Sequence, residues 1–69
     1  MEIFAKRLKA LRKEEKKTQV EMAEELGVSA RQFQNYEGAK SYPEVTGLIR
    51  MADCFNVSTD YLLGRSDRR

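Results

Sequence analysis

Arg31, Gln34 and Asn35 lie within one five-residue span, and at helical spacing they share a face. Each side chain can make two hydrogen bonds to one partner. Arginine can donate to O6 and N7 of guanine, and glutamine or asparagine can bond N6 and N7 of adenine, so the set forms a base-reading vocabulary. Ala30 joins the same face and offers only van der Waals contact, suited to a thymine methyl. Gln32 lies to one side and is assigned to phosphate. A helix face that is merely solvated more often carries Glu and Lys in alternating sign. Lys40, Ser41 and Tyr42 follow, a cation and two hydroxyls of the kind that hold a nucleic-acid backbone; for Tyr42, packing against Pro43 is the other reading.

These residues need a rigid platform, and the stretch from Gln19 to Glu37 supplies one. Thr18 precedes Glu21 by three residues and Ser29 precedes Gln32 by three. Both spacings are those of a capping box, in which a hydroxyl accepts from the third helical N–H and the Glu or Gln side chain reaches back. Two helices therefore start close together, and Gly27 between them suits a left-handed end to the first. Val20, Met22, Ala23, Leu26, Val28, Ala30, Phe33 and Tyr36 mostly fall on i, i+3, i+4 spacing, which predicts an inward face. Ala23 is small enough for a second helix to cross at a steep angle. The pattern is a helix-turn-helix, with Ala30, Arg31, Gln34 and Asn35 outward.

The spacing of Gln19, Ala23, Gly27, Val28, Phe33, Tyr36 and Glu37 resembles the Cro and phage-repressor type of helix-turn-helix DNA-binding family. The resemblance extends over roughly residues 4 to 64. Arg7, Leu8, Leu11 and Arg12 are similar to the family's first helix, Lys40 to Pro43 to its loop before the fourth, and Val57-Ser58 with Asp60-Tyr61-Leu62-Leu63-Gly64 to its closing helix. It implies an all-α, five-helix, lambda-repressor-like domain at 1–64, followed by a short basic tail at 65–69. It also implies that Arg12 forms an ion pair with Glu37, and that Gln19, at the opening of the second helix, holds a DNA phosphate. The sequence departs from the family at Lys16-Lys17, where a glycine and an apolar residue are usual, and at Ala39, where glycine is usual. Lys16 then adopts the left-handed conformation or the first helix runs one residue further; at Ala39 a local shift of the backbone is expected. Exposed Lys17 could also sit near phosphate.

The remaining elements follow from periodicity. The first helix is expected from Glu2 to Glu15, with Ile3, Phe4, Leu8 and Leu11 inside, Ala5 and Ala10 at its edges, and Lys6, Lys9 and Lys13 outward. The fourth is expected from Val45 to Phe55, burying Val45, Leu48, Met51, Ala52 and Phe55, weakened at Gly47 and ended by a left-handed Asn56. Ser58 caps the last helix, with Asp60 opposing its dipole. A domain this small can hardly bury Tyr61, Leu62 and Leu63 together, so Leu62 and Leu63 are expected at a homodimer interface.

Composition removes other classes. The 69 residues allow one domain. No apolar run reaches the ~18 residues that span a bilayer, and the amphipathic amino terminus lacks the continuous apolar core of a signal peptide, so no membrane is expected and a cytoplasmic location is. One cysteine and no histidine leave no zinc-ligand set, no Cys-His pair and no internal disulfide. No enzyme, cofactor or small-molecule ligand is expected. Cys54 reads as a small residue at a helix edge, with redox sensing a distant second. Net charge is only +2, but residues 1–17 carry seven Lys or Arg against three Glu, and residues 18–29 carry three Glu and no base. That asymmetry is compatible with a polyanion.

The expected function is a transcriptional regulator, most simply a repressor, that reads double-stranded DNA at a near-palindromic operator. A homodimer would place its reading helices in half-sites ~34–36 Å apart. Antitoxin or restriction-control activity on the same fold, and a protein-interaction module using the same face, are the alternatives. The ending at Arg68-Arg69 suits a complete regulator and the amino-terminal part of a longer one equally.

Overall fold

A computed structural model describes residues 2–69. Five helices follow in order: α1 (Glu2–Glu14), α2 (Gln19–Leu26), α3 (Ala30–Glu37), α4 (Val45–Phe55) and α5 (Thr59–Leu63), with no strand among the described residues. The core is one cluster to which every helix contributes, from Phe4, Leu8 and Leu11 through Met22, Leu26, Phe33 and Tyr36 to Met51, Phe55 and Leu62. The domain measures 27 × 23 × 20 Å along its principal axes. The platform under α3 is therefore shared by α1 and α2, both of which pack against it.

α1 lies one residue short of the expected Glu15, and its inner face is Phe4, Ala5, Leu8 and Leu11. Ile3 is 41% exposed, contrary to expectation. It flanks the Phe4–Leu8 row on the side of α5, where it covers Gly64 without being covered itself; a Cβ on Gly64 would lie 2.7 Å from Ile3 Cγ2. Ala10 is exposed. Lys16 takes the left-handed conformation at φ 57°. The chain can do this without glycine because Lys16 N bonds back to Lys13 O, and Lys17 N to Arg12 O.

The turn between α2 and α3 is built from local bonds. Thr18 Oγ1 accepts from Glu21 N while Glu21 Oε1 accepts from Thr18 N, a complete capping box. Gly27, at φ 74°, ends α2, and Val28 N bonds Ala23 O. Ser29 makes only half of the expected second box: its hydroxyl accepts from Gln32 N, and the Gln32 side chain makes no return bond. Gln32 instead turns out to solvent. Ala23 is fully covered in the same cluster as Phe33 and Tyr36, whereas Val20 is exposed on the outer side of α2.

α4 has the expected bounds, and Asn56 ends it at φ 56° with its N–H on Ala52 O. Val45, expected in the core, is 72% exposed. It is the first residue of the helix, so its side chain projects past the end of the core, and burial begins one turn later at the half-covered Leu48. Ser58 caps α5 by accepting from Tyr61 N. Leu62 is 0% exposed, which corrects its assignment to a dimer interface. Period and chain length do not reveal that the short α5 inserts Leu62 between α1 and α4; Tyr61 and Leu63 stay half-buried.

The last five residues do not form a separate tail. Arg7 donates to the carbonyls of Tyr61 and Ser66 and to Asp67 Oδ1, with its guanidinium 4.2 Å from the Tyr61 ring centre. Arg69 pairs with Glu14, and its carbonyl accepts from Ser58 N at 2.8 Å. Segment 65–69 thus folds back over α5 and onto α1.

Candidate nucleic-acid interface

α3 is the element that carries the candidate residues, and its orientation is fixed by what it buries. Phe33 is 0% exposed and Tyr36 is 4% exposed; at ~100° per residue this turns the opposite side outward. Arg31 and Gln34 are exposed there, and Ala30 and Asn35 are half-buried at the edges of the same face. Among the described residues no side-chain hydrogen bond engages Arg31, Gln34 or Asn35, so their donors and acceptors face solvent. The backbone carbonyl of Asn35 is occupied, accepting from Lys40 N at 2.9 Å and Ser41 N at 3.4 Å.

Those two bonds define the following loop. Gly38 caps the carboxyl end of α3 with its N–H on Gln34 O, and Ala39 takes the left-handed conformation at φ 59° although it has a Cβ. The backbone therefore keeps the turn that glycine would favour, at a modest cost in strain. It carries exposed Lys40 and half-buried Ser41 alongside the carboxyl end of α3. Tyr42 is drawn to the core edge, where its ring meets Phe4 edge-on at 6.2 Å between centres. Gln32 stands on the flank of α3, lining with Tyr36, Tyr42, Thr46 and Arg50 a cleft of about 320 Å³.

Beneath this face lies a polar junction of three helices. Glu37, the last residue of α3, accepts from Arg12 Nε at 2.7 Å and Arg12 Nη2 at 3.2 Å. Its Oε1 also accepts from Gln19 Nε2 at 2.9 Å. Arg12 has a further bond to the carbonyl of Lys17 at 2.8 Å. The Glu37 side chain is 4% exposed and the Arg12 side chain 11%. No buried side-chain nitrogen or oxygen lacks a partner among the described residues.

Gln19 is thus held at the amino end of α2 by its bond to Glu37. Lys17 is engaged elsewhere, bonded to Glu25 and paired with Glu15. The Glu25 and Glu15 carboxylates raise the pKa of Lys17, and Lys17 in turn lowers that of Glu25. Cys54 donates to the same Glu25, and burial, reinforced by that carboxylate, pushes its thiol up to about 11. A thiol held protonated in this way is a poor nucleophile.

A family model described as a helix-turn-helix domain matches residues 5–68. The chain belongs to the helix-turn-helix domain family. Similar proteins include the HTH-type transcriptional regulator ImmR of Bacillus subtilis, 40% identical over 64 residues, covering 93% of this chain and 50% of ImmR. The cryptic phage CTXphi transcriptional repressor RstR of Vibrio cholerae is 39% identical over 59 residues, covering 86% of this chain and 53% of RstR. The chain spans about half the length of these curated relatives. The helix-turn-helix match reaches residue 68, which agrees with the docking of segment 65–69 on the domain.

Two contacts of this helix-turn-helix domain have no counterpart in the sequence expectations: the Gln19–Glu37 bond and the Arg7 clasp. Gln19 and Glu37 were both legible as positions, but no periodicity links residues on different helices. Arg7 carries a weak signal of its own, an arginine on α1 beside a buried row, one residue before Leu8.

Proposed function

We propose that this domain is a sequence-specific, double-stranded DNA-binding transcriptional regulator, acting as a repressor. The observation that carries the proposal is the outward face of α3: Arg31 and Gln34 exposed and Asn35 at the edge, on a helix pinned by Phe33 and Tyr36. In this reading α3 enters the major groove, Arg31 and Asn35 read base edges, Gln34 flanks them and Ala30 packs on a thymine methyl. Gln19, Gln32, Lys40, Ser41 and Tyr42 hold phosphates and set register. The names of the relatives, a transcriptional regulator and a transcriptional repressor, support the same reading.

Two copies bind as a homodimer on a near-palindromic site, with half-sites ~34–36 Å apart. Leu63, half-buried at the end of α5, is the apolar residue left for the two-fold contact. Such a regulator works in the cytoplasm and blocks polymerase by occupying its operator. No helix among the described residues is long and apolar enough to cross a membrane.

The test is a titration of random-sequence duplex DNA at 50 and 200 mM salt. Binding that weakens steeply with salt, as counterion release requires, supports the reading. Absence of binding at low salt, or an affinity that ignores salt, contradicts it.

A further inference from the structure

We infer that Glu37 is a positioning residue for DNA binding, which presets Gln19 for its phosphate and thereby couples the backbone contact of α2 to the base-reading face of α3. The inference rests on the DNA reading above and adds to it a residue that touches no DNA.

Stability alone does not account for the geometry at Glu37. Two of its three accepted bonds come from Arg12, and these suffice to tie α3 to α1. The third comes from the Gln19 amide at 2.9 Å. A primary amide has two N–H donors. Glu37 takes one and fixes the torsions of the side chain, which leaves the second N–H for an acceptor outside the protein. Gln19 is also the first residue of α2, where the free backbone N–H groups and the positive helix end favour an anion. A phosphate arriving there meets a donor already in place, so the ordering of a long side chain is not charged to binding.

Arg12 makes this arrangement tolerable to DNA. A bare carboxylate beside a phosphate site would repel the backbone, but the paired guanidinium cancels its charge. Arg12 also holds the Lys17 carbonyl at 2.8 Å, which fixes the chain leading into Thr18 and Gln19. Because Glu37 closes α3, any shift of α3 that carries Arg31 and Asn35 also moves the anchor of Gln19. Base and phosphate contacts are therefore set in one rigid unit.

The experiment uses the duplex that the wild-type chain enriches from a random pool. Affinities of wild type, Gln19→Ala, Glu37→Met and the double variant are measured well below each unfolding transition, with Glu37→Leu as a second variant that leaves the Gln19 amide without its acceptor. Gln19→Ala should weaken wild-type binding roughly two- to tenfold, the net contribution of one hydrogen bond. In either Glu37 background it should weaken binding less than twofold. Replacing single phosphates by neutral methylphosphonates supplies a readout that fold stability does not move. The phosphate that ceases to matter in Gln19→Ala should cease to matter in Glu37→Met as well. Equal losses from Gln19→Ala in all backgrounds, or a phosphate that still matters in Glu37→Met, overturns the inference while leaving DNA binding intact. A wild-type chain that enriches no duplex overturns both.

Discussion

The guanidinium of Arg12 lies side-on against the carboxylate of Glu37, with Nε–Oε2 at 2.7 Å and Nη2–Oε1 at 3.2 Å, and joins the first helix to the end of the third. Both groups are nearly covered. Removing one partner leaves the other charge buried and uncompensated, which costs about 3–5 kcal/mol. Arg12→Met and Glu37→Gln should each lower stability by that order in urea denaturation. The double variant should lose less than the sum, because neither charge is then stranded. Additive losses would show that the two residues act independently.

The Arg7 clasp gives a separate expectation. Its three hydrogen bonds and its stacking on Tyr61 hold segment 65–67 to α1 and α5. Arg7→Ala should cost about 1–3 kcal/mol, a fall of several degrees in melting temperature for a domain this size. The amide of Ser58, which donates to the Arg69 carbonyl, should also exchange faster with solvent. An unchanged melting temperature and unchanged Ser58 exchange would mean that the segment is not docked in solution.

Leu62 and Leu63 should part company under mutation. Leu62 is fully buried, so Leu62→Ala should destabilise by about 2–5 kcal/mol. Leu63→Glu should leave most of the stability and instead weaken two-fold binding to a palindromic duplex, measured by gel shift and sedimentation. If Leu63→Glu leaves both unchanged, the two-fold contact lies elsewhere.

Cys54 should be inert near neutrality. Burial and the Glu25 carboxylate push its thiol from the ordinary 9.0 up to about 11, so its thiolate fraction at pH 8 is about a hundredfold below that of a free thiol and alkylation should slow in proportion. The folded state binds this proton more tightly than the unfolded chain. The thiol's contribution to stability is therefore complete below pH 9 and is lost as pH rises from about 9 to about 11. A Cys54→Ala variant should show a flatter decline in that window, seen by denaturation at stepped pH. Equal slopes would contradict the shift.

Much of this molecule was legible in the sequence because its determinants are local. Thr18 with Glu21, Gly27, Asn56 and Ser58 mark helix ends through bonds to neighbours a few residues away, and the structure has those ends. The open choice at Lys16 resolves to the left-handed conformation, and Ala39 adopts it as well, each held by backbone bonds. What periodicity missed lies at the ends of helices. Val45 sits on an apolar face but in a first turn that projects past the core, Ile3 lies at the side of the buried row over Gly64, and Leu62 looked surplus until α5 was seen to insert it. The outward face of α3 was visible from the alternation of Phe33 and Tyr36 with Arg31, Gln34 and Asn35. Its support was less so, since the Gln19–Glu37 bond and the Arg7 clasp join residues 18 and more than 50 positions apart.

The central claim is that α3 reads base edges, and selection from a random duplex pool with wild type and Arg31→Ala in parallel tests it most directly. The wild type should enrich a two-fold symmetric site. Arg31→Ala should bind that site less tightly by about 1–3 kcal/mol and lose preference at one base pair in each half-site. A site enriched equally by both proteins, with the same preference at every position, would contradict reading by Arg31.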